Sequence, residues 1–187
     1  MKYYIQLLRP KDWAKNTFLF LPLFFSGQLF DFDSLLKVLE GFICFSFVAS
    51  SIYILNDYRD IEDDRKHPEK SKRPLASGKV NKIAAIVIAV VLLILGLGIA
   101  WFIRDKFFFV LSIYFLLNLG YSFGLKKISI LDIFIIAVGF VLRVKGGAVI
   151  AYIGLSEWLT IMVFLLALFL AFGKRRDDVL LKIKSGT

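Results

Sequence analysis

Hydrophobic runs separated by short polar joints set the plan of this chain. Apolar stretches cover Thr17 to about Phe30, Ser34 to about Leu55, Lys82 to Ile103, Phe107 to Leu125, Ile128 to about Ile153 and Trp158 to Phe172. The first falls short of the roughly 20 residues that a helical bilayer crossing needs, so it borrows length from its flanks. None alternates apolar and polar residues as a barrel strand would, and lipid tolerates no unpaired backbone, so all six read as helices. The pattern predicts an all-α integral membrane protein, with residues 1–187 forming one transmembrane domain. Before the first span, Lys2, Arg9, Lys11 and Lys15 surround Trp13, an amphipathic pattern suited to a membrane surface. A polar tail, Gly173–Thr187, follows the last span.

Composition supports the membrane reading. Hydrophobic residues make up 58% of the chain, with 20 Phe and a mean hydropathy of +0.73; soluble domains hold about half. The start, MKYYIQLLRPKDWAKN, is polar and basic over too long a span for a cleavable leader. The single cysteine, Cys44, lies in an apolar run, which excludes a disulfide framework and a thiolate metal site. Its reading is a small buried hydrophobe. Of the 24 Lys and Arg, 19 border one side of the six spans. By the positive-inside rule, the N terminus, the joint between the second and third spans and the C terminus face the cytoplasm. The net charge of +9 then reads as a basic surface against anionic headgroups. No nucleic-acid motif accompanies it, so nucleic acid is not an expected partner.

The largest concentration of charge between two apolar segments is Asn56 to Gly78, NDYRDIEDDRKHPEKSKRPLASG. At about 100° per residue, Asn56, Asp57, Asp60 and Asp64 share one arc of roughly 100° across two helical turns. Asp63 lies beside that arc, while Tyr58, Arg59 and Glu62 point elsewhere. Hard cations such as Mg²⁺ take carboxylate and carbonyl oxygens and share them with substrate phosphates. Arg65, Lys66, Lys70, Lys72 and Arg73 add phosphate donors just downstream. Charge runs are usually solvated and self-neutralising; the single face and the junction with an apolar helix favour a site here.

NDxxDxxxD, formed by Asn56, Asp57, Asp60 and Asp64, resembles the first aspartate-rich motif of the UbiA prenyltransferase superfamily. The continuation HPEKSKRPLASG, with RPKDWAKN at Arg9–Asn16, is similar to its decaprenyl-phosphate phosphoribosyltransferase branch. The resemblance implies Mg²⁺ held by Asp57, Asp60 and Asp64, with Asn56, Lys15 and Arg73 binding substrate. It also implies a bacterial-type plasma membrane and a bundle of nine transmembrane helices, of which this chain supplies about six. The expectation is a shortened form, or a homo-oligomer or other partner chain that completes the cavity.

Three further places carry candidate chemistry. Tyr121, Ser122 and Lys126 form YSxxxK, which resembles a second UbiA signature and implies diphosphate binding by Lys126 and Tyr121; ordinary basic flanking is the bland account. Asp132 and Arg143 share a face but stand about 16 Å apart along a helix, so they cannot touch. A buried Arg costs about 3 kcal/mol or more on insertion scales, which points Arg143 at a polar cavity and an anionic substrate. Lys145 snorkels, and Gly139, Gly146 and Gly147 permit close helix packing. KRRDD supplies Lys174, Arg175, Asp177 and Asp178; the resemblance makes it a second acidic site, and an i,i+4 surface pair explains it otherwise. His67, the one histidine, reads as loop decoration.

The resemblance implies transfer of 5-phosphoribose from phosphoribosyl diphosphate to a polyprenyl (decaprenyl) phosphate in cell-envelope biosynthesis. The alternatives are prenyl transfer from a polyprenyl diphosphate to an aromatic acceptor, and a non-catalytic module that binds a lipid phosphate.

Overall fold

The polar–apolar boundary at Asn56 becomes the end of the helix around which the others pack. In the computed structural model, which describes residues 2–125 and 128–185 except the side chains at 129, 174 and 177–185, the order of elements is as follows. Helix α1 (Lys2–Leu8) leads into a 3-10 helix (Pro10–Phe20), α2 (Leu21–Phe25) and the long α3 (Phe32–Arg59). After α3 come the short α4 (Ile61–Lys66), a 3-10 turn (Lys70–Lys72), α5 (Lys82–Ile103), α6 (Asp105–Ser122), α7 (Ser129–Ile150) and α8 (Glu157–Ser185). The described residues contain no strand.

Side chains set where these helices begin. Asp31 accepts the backbone N–H of Ser34 at 3.1 Å and starts α3; hydrogen bonds from Ser34 hold its carboxyl below the usual carboxylate range. Asn81 accepts the N–H of Ile83 at 2.8 Å and starts α5. The main core gathers Phe45, Val48 and Ile52 of α3 with Phe107, Leu111 and Tyr114 of α6, Leu142 and Ile150 of α7, and Leu19 and Leu23 from the N-terminal segment. Small residues let backbones approach. A Cβ at Gly147 would stand 1.8 Å from the Leu19 carbonyl oxygen, and one at Gly96 of α5 would stand 3.0 Å from that of Cys44. Both are the tight contacts that membrane helices make without a hydrophobic driving force between them.

Among the described residues, three helices are long and apolar enough to cross a bilayer: Phe32–Arg59, Lys82–Ile103 and Ile130–Ile150. With the helical bundle around them, they make the chain an integral membrane protein. The other three apolar runs take different forms. The expected first span is a 3-10 segment followed by a five-residue α-helix, broken where Pro22 sits in the first turn of α2. Asp105 and Lys106 open α6 and Asn118 lies within it, which lowers its hydropathy. The apolar part of α8, Glu157–Gly173, is 17 residues. The expectation of a surface-lying N terminus also changes. Asn16 and Leu19 are fully buried, because the segment after Pro10 packs between α3 and α7 rather than along the bilayer.

Candidate active site

One face of α3 explains how the N-terminal segment reaches the acidic motif. Ser46, Ser50, Tyr53 and Asp57 recur at i, i+4, i+7 and i+11, so they form a single stripe. Each holds a residue of the N-terminal segment. Asn16 Nδ2 donates to Ser46 Oγ at 3.0 Å, and Trp13 Nε1 donates to Ser50 Oγ at 3.0 Å. Ser50 Oγ in turn donates to the Leu8 carbonyl at 2.8 Å. Arg9 then lies 5.3 Å from the Tyr53 ring centre and donates to Asp57 Oδ1 at 2.5 Å. Arg9 takes a left-handed backbone (φ 51°), a conformation uncommon outside glycine; it turns the chain from α1 into the 3-10 helix.

The loop after α4 brings a second guanidinium from the other direction. In RPLASG, Leu75 and Ala76 are buried, and Leu75 joins Leu7, Ile54, Ile61 and Val80 in a satellite core. The Pro74 carbonyl accepts the N–H groups of Lys79 and Val80, and Gly78 supplies the positive φ (72°) that closes the turn. With the loop plugged in this way, Arg73 Nη1 reaches Asp57 Oδ1 at 3.0 Å and Asp64 Oδ2 at 2.7 Å. Asp57 and Asp64 are 2% and 4% exposed. Buried carboxylates are tolerated only when paired in this manner.

The acidic ladder is divided between two helices, with Asp60 at the break between α3 and α4. Asp57 and Asp64 converge on one guanidinium nitrogen. Asp60 caps α3 and begins α4, half-buried beside them, as is Asn56. Asp63 and Glu62 are exposed. Arg59 turns away, donating to the Ser122 carbonyl at 2.7 Å and lying 4.2 Å from the centre of the Phe123 ring. His67 is exposed, its Nδ1 accepting the N–H groups of Glu69 and Lys70. Oxygen donors on one face suit a hard divalent cation by their chemistry, and the point between Asp57 and Asp64 already holds a positive nitrogen. As arranged, the described residues do not bring three metal-ligating side chains together.

Near the same end, Tyr121 Oη donates to Asp132 Oδ1 at 2.8 Å, and Arg175 Nη1 approaches Asp132 Oδ2 at 3.4 Å. Tyr121, the first residue of the YS signature, thus belongs to a polar link from α6 through α7 to α8. Lys126 lies outside the described residues, as do the side chains of Lys174, Asp177 and Asp178. Lys15 is exposed and pairs with Asp12 at 2.7 Å.

Arg143 is buried, 5% exposed, and neutral groups surround it. Nε donates to Asn16 Oδ1, Nη1 to the Gly139 carbonyl and Nη2 to Tyr114 Oη, each at 2.8 Å. The Tyr114 ring centre lies 4.8 Å away, with Phe140 and Phe45 at 5.4 and 5.6 Å. Through Asn16 and Ser46, Arg143 stands level with a point eleven residues before Asp57, about 16 Å deeper along α3. It does not reach the carboxylates. Arg9 and Asn16 are the functional candidates that single-residue reasoning missed. Their signal was the polar stripe at 46, 50, 53 and 57, which needs a polar segment to cover it.

Comparison with known proteins agrees with this architecture. The UbiA prenyltransferase family model matches residues 17–185. The chain is 38% identical over 186 residues to a decaprenyl-phosphate phosphoribosyltransferase of Corynebacterium glutamicum, covering 97% of this chain and 56% of that protein. It is also 38% identical to the enzyme of that name from Mycolicibacterium smegmatis, over 97% of this chain and 58% of the other. The chain thus spans somewhat more than half the length of these relatives. Its fold superposes on a UbiA homolog from Archaeoglobus fulgidus bound to GPP and Mg²⁺, with a TM-score of 0.82 at 24% identity, covering 98% of this chain and 66% of that one.

Proposed function

We propose, for a chain that belongs to the UbiA prenyltransferase family, a Mg²⁺-dependent membrane transferase that moves 5-phosphoribose from phosphoribosyl diphosphate to a polyprenyl phosphate. An oxygen of the acceptor phosphate attacks the anomeric carbon, the carbon–oxygen bond to the diphosphate breaks, and diphosphate departs. The observation that carries this reading is the Arg9–Asp57–Arg73–Asp64 cluster at the polar end of an apolar helix, its carboxylates buried and its guanidiniums at the rim. It is a water-facing place built for both signs of charge, where a soluble, highly anionic donor can arrive.

Asp57, Asp60 and Asp64 would hold Mg²⁺, which when bound neutralises charge on the departing diphosphate. Arg73, with Asn56, Lys15, Tyr121, Lys126 and the basic residues Lys174 and Arg175, would bind the anionic groups of the substrate; Asp177 and Asp178 would form the second acidic site. Arg143 lies three turns deeper and acts by position: it fixes Asn16, and with it the segment that delivers Arg9. Its positive charge, whose described partners are neutral, also favours a lipid phosphate entering between helices. The acidic end faces the cytoplasm, on the strength of the 19 basic residues that border it.

The second reading, prenyl transfer, draws on solved homologs bound to GPP and DMAPP. The relatives that are 38% identical favour the sugar donor. Release of diphosphate separates the two. Membranes carrying the protein should release it from phosphoribosyl diphosphate when polyprenyl phosphate and Mg²⁺ are present. Release only from a prenyl diphosphate with an aromatic acid would hand the function to the second reading.

A further inference from the structure

Arg73 occupies a point from which a single cation reaches both buried carboxylates of the ladder. Its Nη1 is 3.0 Å from Asp57 Oδ1 and 2.7 Å from Asp64 Oδ2, while Arg9 Nη2 meets the same Asp57 Oδ1 at 2.5 Å. We propose that Arg73 is a resident counter-cation that a divalent metal must displace, so that metal and diphosphate bind this site as a coupled pair. The inference rests on the donor-site reading above and adds an order of dependence that the ladder alone does not contain.

Electrostatics opposes a free cation at this place. Two guanidiniums against two carboxylates leave this cluster with no net charge. A bare divalent cation entering between Asp57 and Asp64 would push against Arg73 and Arg9 at short range, where the interior screens poorly. It would also have to break two charge-assisted hydrogen bonds to Arg73 before gaining its ligands. A diphosphate removes both obstacles. Its oxygens match the planar fork of a guanidinium, so Arg73 can exchange carboxylate for phosphate while the metal takes the vacated oxygens.

The loop is built for that exchange. Leu75 and Ala76 anchor the backbone in the satellite core, whereas the Arg73 side chain is 26% exposed at the rim. Only the side chain has to turn. Linkage then works in both directions: whatever factor diphosphate adds to metal affinity, metal adds to diphosphate affinity. A site of this kind does not trap free cations and does not hold diphosphate firmly without one.

The test uses Mn²⁺ as the probe and inorganic diphosphate as the anion, on the purified full chain. Mn²⁺ binding is read by electron paramagnetic resonance and corrected for the Mn²⁺–diphosphate complex in solution. In the parent protein, diphosphate should tighten Mn²⁺ by about tenfold or more, within the usual range of coupling between sites. Arg73→Gln should bind Mn²⁺ alone about tenfold more tightly than the parent and lose most of the response to diphosphate. Arg73→Lys keeps the charge but not the planar fork that would meet the diphosphate, and should fall between; it carries the test where the Gln variant does not fold. Coupling in the parent with unchanged Mn²⁺ affinity in the Arg73 variants would overturn the displacement and leave the donor site standing. Absence of Mn²⁺ binding in the parent even with diphosphate would overturn both.

Discussion

Two arginines and two aspartates divide the polar end of α3 between structure and chemistry. Asp57 and Asp64 are buried and paired, Asp60 stands half-buried at the junction of α3 and α4, and Asp63 faces solvent. Asp60→Asn should therefore abolish Mg²⁺-dependent turnover while the protein stays folded and inserted, whereas Asp63→Asn should retain turnover within a few fold. Turnover and elution profile, measured on the same preparations, check the pair, and near-parental activity of Asp60→Asn would remove it from the site. Arg143 makes a different prediction because its described partners are neutral. Replacing it with Leu strips donors from Asn16 Oδ1, Tyr114 Oη and the Gly139 carbonyl, each loss costing about 1–3 kcal/mol when a buried group is left without a partner. The expected outcome is a clear drop in thermal unfolding temperature in detergent. A variant with parental stability and lost turnover would instead place Arg143 in contact with substrate.

At the level of elements, the N-terminal 3-10 segment works as a strut that depends on bare backbone contact with α7. A Cβ at Gly147 would stand 1.8 Å from the Leu19 carbonyl oxygen, backbone against backbone, so nothing flexible can give way. Gly147→Ala should cost about 1–3 kcal/mol of stability, the usual range for forced overpacking, and should loosen the segment that carries Asn16 and Arg9. Limited proteolysis near Pro10 and thermal unfolding would register both effects; parental behaviour in both would show that α7 does not hold the strut. The sequence made α3, α5 and α7 legible, since each has a long apolar run and a polar end. The approach of Asp57 to Asp64 was legible in their spacing, whereas the break between α3 and α4 at Asp60 was not. What periodicity could not reveal was the N-terminal segment. Its residues read as surface-active because Arg9, Trp13 and Asn16 are polar, yet those polar atoms are spent on Ser46, Ser50 and Asp57 of α3. Likewise, the spacing that gathered the carboxylates gave no sign that Arg73, nine residues beyond Asp64, would return between them.

Across the whole molecule, charge and lipid divide the bundle into a basic, acid-lined end and an apolar belt. With Cys44 buried, a cysteine placed at Ser71 should react with an impermeant thiol reagent only from the cytoplasmic side, and one at Asp105 only from the opposite side. The reverse labelling would overturn the orientation. The central claim is that the Asp57–Asp64 end receives phosphoribosyl diphosphate and passes its sugar phosphate to a membrane lipid. It is tested most directly by supplying radiolabelled phosphoribosyl diphosphate and polyprenyl phosphate to membranes that contain the protein. The account predicts label in the lipid phase that requires Mg²⁺ and disappears with a chelator. Label that stays in the aqueous phase, beside Mg²⁺-dependent prenylation of an aromatic acid by the same membranes, would contradict it.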